Sequence, residues 1–393
     1  MWYLSMNIKF ITEKIHMSRG GASRSLHVLA SQLEQRGHNV TIATINIGSK
    51  NQLPVQHEYL VNEIGNDSEN ILHSCGSIIN YMEKKEKNTD IFHIFTPQFN
   101  FLGGIFKKKG GKTPIIGRLN NYAFCPNKSM MESQCYLNCT TASKIKHDVG
   151  DVNEKIANIP KYMFKTHLDP ILMNQVDKLF AISPSVKQIY ISNGIDPEII
   201  EVMPNFIDKS FSMKGKKKAL FDGCFNILYV GWLKEIKGVR TLIEAARKLK
   251  NGFKFHIVGD GPLYSELSNN SPSNVEYYGR IDNSDLSSFY TSADLFVHPG
   301  NWPEPFGRTI LESLQCQTPV LTSNIGAPPW IAGNAGLQFE PKNSSELISQ
   351  LQLLKQNNKV YNSIKKSIPN EISRFEMEPI IQKILKTYNE LQT

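Results

Sequence analysis

Two glutamates eight positions apart, Glu304 and Glu312, belong to the stretch Asn-Trp-Pro-Glu-Pro-Phe-Gly-Arg-Thr-Ile-Leu-Glu that runs from Asn301. Pro303 and Pro305 bracket the first of them, and flanking prolines restrict the backbone enough to help aim its carboxylate. Gly307 lets a ligand approach the main chain. A helix opening near Arg308 turns unpaired N–H groups toward the same place, which suits an anion. Glu312 then falls about one turn into that helix, so the two carboxylates can flank one elongated ligand. Many surface helices carry such a pair; here the proline-bracketed loop and the glycine set it apart.

Gly231 to Gly238 is a second constellation. It directly follows an apolar run and places Lys237 before a glycine at a helix entrance, where an ammonium and the helix N-terminus can share a phosphate oxygen. A solvated lysine in a turn is the plain alternative. Gly259-Asp260-Gly261-Pro262 again follows a strand-like run and reads as a tight turn open to backbone contact. Gly20-Gly21 occupies the loop between the first strand and the first helix, a phosphate-approach position in open α/β sheets. No G-x-G-x-x-G follows a predicted strand, which counts against a nicotinamide or flavin enzyme. Metal chemistry finds no H-E-x-x-H or paired C-x-x-C. Cys125, Cys135 and Cys139, with His147 nearby, could form a zinc clip, although their irregular spacing fits the packing of a loop better. No metal and no cofactor are expected.

These positions need a scaffold, and the chain supplies one by alternating short β-branched runs with amphipathic segments, the pattern of parallel sheets wrapped by helices. Predicted strands at Asn7 to Thr12, Val40 to Ile45, Ile91 to Phe95, Pro114 to Gly117 and Lys178 to Ile182 make the first set. Helices at Ser25 to Arg36, ended by Gly37, and at Pro184 to Ser192 accompany them. Around Phe206 to Phe225, Lys214, Lys216, Lys217 and Lys218 lie among Gly, Ser and Asp without periodicity, which predicts a linker. Strands at Asn226 to Val230, Lys254 to Val258, Val275 to Tyr278, Leu295 to His298 and Pro319 to Thr322 follow. They alternate with helices at Val239 to Leu249, Leu263 to Ser268, Ser284 to Thr291 and Thr309 to Gln315. The last helix, Glu378 to Leu391, carries Ile380, Ile381, Ile384, Leu385, Tyr388 and Leu391 at helical spacing. Ligands of open α/β sheets bind beyond the carboxyl ends of the strands.

At 393 residues and about 150 per domain, two or three domains are expected. Forty per cent apolar residues, 26 Gly, 20 Pro and a mean hydropathy of −0.31 exclude disordered, collagenous and membrane-spanning classes. Met1 to Met6 lacks the basic and apolar regions of a signal peptide, and six cysteines are too few for a disulfide scaffold. A cytoplasmic chain with reduced thiols is expected. The excess of 44 basic over 36 acidic residues, a net +8, favours anionic partners. The lysines are scattered, with no groove reader, so nucleic acid is not expected.

Taken together, these stretches resemble the retaining glycosyltransferases of GT-B architecture whose hallmark is E-x7-E, the glycosyl transferases of group 1, family 4 type. Glu304 to Glu312 carries the likeness most specifically, and Thr318-Pro319-Val320 and Gly326-Ala327-Pro328 keep the family's order. Tyr229 to Leu233 with Lys237-Gly238, Val258 to Pro262, Val202 to Asn205 with Ile207-Asp208, and Phe375-Glu376-Met377 extend it over nearly the whole chain.

The resemblance implies two Rossmann-like domains facing across a cleft, with the C-terminal helix crossing back to the first. Residues 1–207 with 376–393 would hold the acceptor, and 208–375 the nucleotide sugar. It implies a hexosyltransferase-type enzyme that uses a nucleotide-sugar donor and a glycan or lipid-linked acceptor in surface polysaccharide or glycolipid synthesis, with anomeric retention and no divalent metal. Glu304 would contact the donor sugar, Glu312 the ribose hydroxyls and Lys237 the diphosphate. Gly231 lies in the phosphate loop. Amides from Phe306 through Gly307, Arg308 and Thr309 to Ile310 would meet sugar or phosphate, Gly21 would let the first domain approach the diphosphate, and Gly259 and Arg280 would border the base.

The chain departs from the family at three places. Trp232 stands where an arginine is usual, with Arg19, Arg240 and Arg280 as substitutes by location. Gln317 replaces a usual glycine. Asn120 falls where a first-domain histidine is common, beside Arg118; His93 and His16 are the alternative acceptor-side or base candidates. A catalytically silent sugar-nucleotide-binding subunit and a non-transferring GT-B enzyme such as a sugar-nucleotide epimerase are the rival readings. Phe99 to Lys112, apolar and then basic, suits docking on the anionic inner face of a membrane and equally suits a buried helix with solvated lysines.

Overall fold

In the computed structural model, which describes residues 5–15, 21–47, 60–64, 71–125, 137, 139–148, 150–207 and 223–392, strands and helices alternate along the chain. The chain divides into two units, Met1–Asn205 with Glu378–Thr393, and Phe206–Met377. The lysine-rich stretch 208–222, His16, Arg19, Gly20 and Cys135 lie outside the described residues.

The first unit runs β1 (Asn7–Ile15), α1 (Gly21–Glu34), β2 (Asn39–Ile47), β3 (Leu60–Glu63), α2 (Ile71–Lys85), β4 (Ile91–Ile94), α3 (Asn100–Lys108) and β5 (Ile115–Leu119). Four short helices follow, α4 (Thr141–Lys146), α5 (Val152–Ala157), α6 (Ile159–Met163) and α7 (Asp169–Met173), then β6 (Lys178–Ala181), α8 (Pro184–Ile191) and β7 (Ile200–Val202). All seven strands pair in parallel in the order β3-β2-β1-β4-β5-β6-β7. Every residue of β4 and β5 is buried, as a parallel sheet covered on both faces requires.

The second unit runs β8 (Phe225–Val230), α9 (Val239–Lys248), β9 (Phe253–Val258), α10 (Tyr264–Asn269), β10 (Val275–Tyr277), α11 (Asn283–Ser292), β11 (Leu295–His298) and α12 (Arg308–Gln315). It continues through β12 (Val320–Ser323), α13 (Pro328–Ala332), β13 (Gly336–Phe339), α14 (Ser344–Gln356) and α15 (Asn358–Ser373). Its six strands, also parallel, lie in the order β10-β9-β8-β11-β12-β13. The core joins Ile227, Phe255, Ile257, Val297 and Leu321 of the sheet to Leu242, Ala246, Leu347 and Leu351 of α9 and α14. Each fully buried aliphatic side chain there is worth about 1.5–3 kcal/mol.

The last helix, α16 (Met377–Glu390), is assigned to the first unit. Ile380, Ile381, Ile384, Leu385 and Tyr388 are buried along one stripe. Lys383 donates to the Val202 carbonyl at 3.0 Å, and the Thr387 hydroxyl donates to the Glu201 carboxylate at 3.2 Å.

The apolar half of Phe99 to Lys112 proves to be core. Phe99, Leu102 and Phe106 are buried, and a Cβ on Gly104 would strike the Leu172 carbonyl oxygen, so α3 lies tight on α7. Lys107 pairs with Asp177 at 2.8 Å and Lys109 pairs with Glu83. These contacts fit the buried-helix alternative, and Phe99, Leu102 and Phe106 are not available as a docking face. No helix among the described residues is long and apolar enough to cross a membrane.

Candidate active site

In each sheet the strand order reverses once beside the first strand, and in the second unit that switch point lies between β8 and β11. Loops leaving the carboxyl ends of two such strands diverge and open a crevice. One of these loops carries Lys237 and the other Glu304.

Gly238 explains how the two loops meet. It adopts φ +68°, and a Cβ there would lie 1.6 Å from the Pro299 carbonyl oxygen. Only glycine permits that approach. The Asn301 amide donates to the Ile236 carbonyl at 2.9 Å, and its side chain donates to the Glu235 carbonyl at 3.3 Å. From the opposite side Gly326, at φ +74°, presses on Pro303 and Glu304, and Ala327 N–H donates to the Glu304 carbonyl at 2.9 Å. The backbone of Glu304 is thus held from both sides.

Its carboxylate is held as firmly. Lys237 Nζ lies 2.7 Å from Glu304 Oε2, and His298 Nε2, at the end of β11, lies 3.2 Å from the same oxygen. Burial alone would raise the Glu304 pKa, but the Lys237 ammonium and the His298 hydrogen bond outweigh it and hold the carboxyl at about 2. Lys237 Nζ also stands 5.8 Å from the centre of the Trp302 ring. His298 was not anticipated from sequence. Its only signal was its place as the last residue of a predicted strand, where functional side chains of α/β sheets project. Its Nδ1 is buried without a hydrogen-bond partner among the described residues.

Gly307 precedes α12, whose first residues are Arg308 and Thr309; the amides of its first turn project from the N-terminus as a group that attracts anions. Phe306 is buried edge-on against Phe375, with ring centres 6.0 Å apart. Glu312 lies farther along α12 and accepts the Tyr290 hydroxyl at 3.2 Å. The helix ends in a Schellman motif: Thr318 N–H donates to Ser313 and Gln317 N–H to Leu314, with Gln317 itself at φ +59°. A left-handed residue there accounts for the glycine expected at that position.

Gly231, Gly259 and Arg280, expected at the nucleotide end, do come together. They line one pocket of about 380 Å³ with Trp232, Asp260 and Leu286. Gly259, at φ +139°, sits so close to the preceding turn that a Cβ would lie 1.9 Å from the Gly231 carbonyl oxygen. Trp232 is half exposed, with Lys234 Nζ stacked 3.5 Å from its ring centre. Of the arginines that could substitute for a cation at position 232, Arg240 is engaged by Glu235 and by both oxygens of Glu266, whereas Arg280 lines the pocket.

In the first unit, Gly21 begins α1. Asn120 follows β5 and donates to the Phe95 carbonyl at 3.3 Å. His93 requires a correction. It is fully buried in β4 among Phe10, Phe95 and Phe180, with Nδ1 2.7 Å from the Tyr388 hydroxyl, and burial and then Arg118 hold its pKa well below 6.5. It is a core residue and has no surface through which to meet an acceptor. Arg118 is buried too, donating to Asn205 at 3.1 Å. Among the described residues no His, Cys, Asp and Glu cluster could hold a metal ion.

The family described as Glycosyl transferases group 1 matches residues 213–371, and that described as Glycosyltransferase Family 4 matches residues 19–211. An uncharacterized glycosyltransferase of Methanocaldococcus jannaschii is 27% identical over 54% of this chain and 62% of its own length. An alpha-galactosylglucosyldiacylglycerol synthase of Streptococcus pneumoniae is 24% identical over 42% and 47%. These alignments span less than two thirds of either relative. Among solved structures, the Anabaena protein HepE in complex with UDP superposes with a TM-score of 0.74 at 19% identity over 98% of this chain and 100% of that one, which establishes the fold as GT-B.

Proposed function

The chain belongs to the glycosyl transferases of group 1, and on that premise we propose that it moves a sugar from a nucleotide-sugar donor to a glycan or lipid-linked acceptor with retention of anomeric configuration. The observation that carries this reading is the meeting of Lys237, His298 and Glu304 on one carboxylate oxygen at the switch point of the second sheet. The 380 Å³ pocket that opens on the turn leading to Lys237 supports it.

The second unit binds the donor: the base lies against Gly259 and Arg280, Glu312 receives the ribose hydroxyls, and the sugar sits at Glu304. The bond between anomeric carbon and phosphate oxygen breaks with its electron pair leaving on the diphosphate. The Lys237 ammonium and the first-turn amides of α12 meet that growing charge, already oriented, which is the most effective way to lower such a barrier. The acceptor hydroxyl, held by the first unit, attacks from the leaving-group face and its proton passes to the departing phosphate oxygen. Glu304 stays ionised throughout and orients both the ammonium and the sugar hydroxyls. The UDP carried by the Anabaena protein makes uridine diphosphate sugars the first donors to examine, and the Streptococcus relative, named for a diacylglycerol product, favours a lipid-linked acceptor.

The test is thermal stabilisation by a panel of nucleotide sugars, since a ligand of the folded state raises apparent stability by mass action, followed by turnover of the best donor. Saturable stabilisation with turnover that Glu304→Ala abolishes is the expected result; no stabilisation by any nucleotide sugar overturns the reading. The exposed Trp232, stacked by Lys234 where an arginine is expected, favours one second reading, a silent sugar-nucleotide-binding subunit. Tight donor binding with no hydrolysis or transfer selects it.

A further inference from the structure

A cavity in the first unit has no part in this chemistry. It encloses about 540 Å³ beneath α4, the turn Phe164–Leu168, α7 and the end of α8, a volume suited to a small ligand. None of its lining residues belongs to the donor site or to the acceptor-side candidates.

Its walls are charged in an unusual way. Lys144 is 1% exposed, and its ammonium donates to the Cys139 carbonyl at 2.8 Å and to Thr166 Oγ1 at 2.9 Å; among the described residues no carboxylate lies within ion-pair distance of it, and Asp169 acts on it only from farther away. The π-helical turn between α6 and α7 sets Lys165 one turn before Asp169, and the two pair at 2.9 Å through Oδ2. Asp169 is itself 5% exposed, yet among the described residues its Oδ1 has no hydrogen-bond partner; Thr141, another residue of the wall, has a buried Oγ1 that likewise has none among them. Buried polar atoms are nearly always satisfied, and a buried charge without a counter-ion is costly. Among the described residues of the wall, two ammonium groups against one carboxylate leave one positive charge for an anion, while the orphan carboxylate oxygen accepts only from a donor such as a hydroxyl.

We propose that this cavity binds a small hydroxylated anion of the sugar-phosphate or sugar-acid class, with the anionic group held toward Lys144 and hydroxyls donating to Asp169 Oδ1 and exchanging a hydrogen bond with Thr141. Such a ligand completes both orphan groups and the charge balance at once. A neutral sugar brings no charge, and inorganic phosphate brings one, with a P–OH donor, but fills little of a cavity of about 540 Å³.

Titration calorimetry on the full chain tests it with four probes: glucose 6-phosphate, glucuronate, glucose and inorganic phosphate. At least one of the first two binds, and glucose and phosphate bind about tenfold or more weakly. Lys144→Met and, should that variant fail to fold, Asp169→Asn and Thr141→Val each weaken the binding by about tenfold, whereas Lys237→Met leaves it unchanged. Absence of saturable binding by glucose 6-phosphate and glucuronate up to about 10 mM overturns the proposal. So does binding that survives Asp169→Asn and Thr141→Val, that disappears in Lys237→Met, or that phosphate alone reproduces at equal affinity.

Discussion

Lys237 and Glu304, 67 positions apart in the chain, form an ion pair of 2.7 Å at the carboxyl ends of adjacent strands, and His298 shares its acceptor oxygen. An ammonium held this way is oriented before any ligand arrives. Its charge is only partly spent on Glu304, so a diphosphate can draw on the rest.

Replacing Lys237 by Met should therefore cost about 100-fold to 1000-fold in kcat for sugar transfer, the range for removing one preorganised group that meets developing charge. Glu304→Gln should slow turnover as well. Because the two side chains act as one unit, the double variant should be little worse than the poorer single one, as a mutant cycle on kcat would read. Additive losses would mean that the pair does not act together.

His298→Leu should leave the fold intact but loosen Glu304, because leucine fills much of the imidazole's space and cannot donate. The carboxylate then loses one of its two charged or hydrogen-bonding neighbours, and its pKa rises from about 2 toward the ordinary value. A carboxyl titration followed by NMR would register the rise, and an unshifted value would exclude His298 as a positioning residue.

Stability should fall on acidification in two windows. Burial keeps His256, hydrogen-bonded to Tyr278 and Asn226, at about 4 instead of 6.5, and keeps His93 well below 6.5. The unfolded chain takes up these protons first, so stability is full above about pH 6.5 and declines toward pH 4, by about 3 kcal/mol for His256. Glu304 has the opposite charge type: its contribution is present above its ordinary 4.5 and is lost as pH falls toward 2. Tm measured from pH 8 to 4 should show the upper window, and His256→Asn should flatten it.

Two left-handed positions should respond oppositely to substitution. Gly238→Ala must accommodate both a positive φ and a methyl against the Pro299 carbonyl, and should destabilise the second unit by at least about 2 kcal/mol. Gln317→Gly removes a strained φ of +59° at the end of α12 and should stabilise by about 1 kcal/mol. Denaturant midpoints of the two variants would read both effects.

The alternation of strands and helices, the strand-end turns at Gly231 and Gly259, and the proline-bracketed Glu304 were all readable along the chain, because each depends on local periodicity or on backbone freedom at single residues. Short elements escaped: β7 has three residues and β13 exposes Gln338, so neither offers a period to detect, and Pro369 inside α15 masks that helix. What the tertiary structure decided is adjacency. Strand order within a sheet is set by packing between distant segments. Only the folded sheet could bring Lys237 to Glu304, add His298 to the pair, and place His93, chemically the more suggestive histidine, in the core against Tyr388. The same long-range packing enclosed Lys144 and Asp169 in a cavity that no spacing along the chain announces.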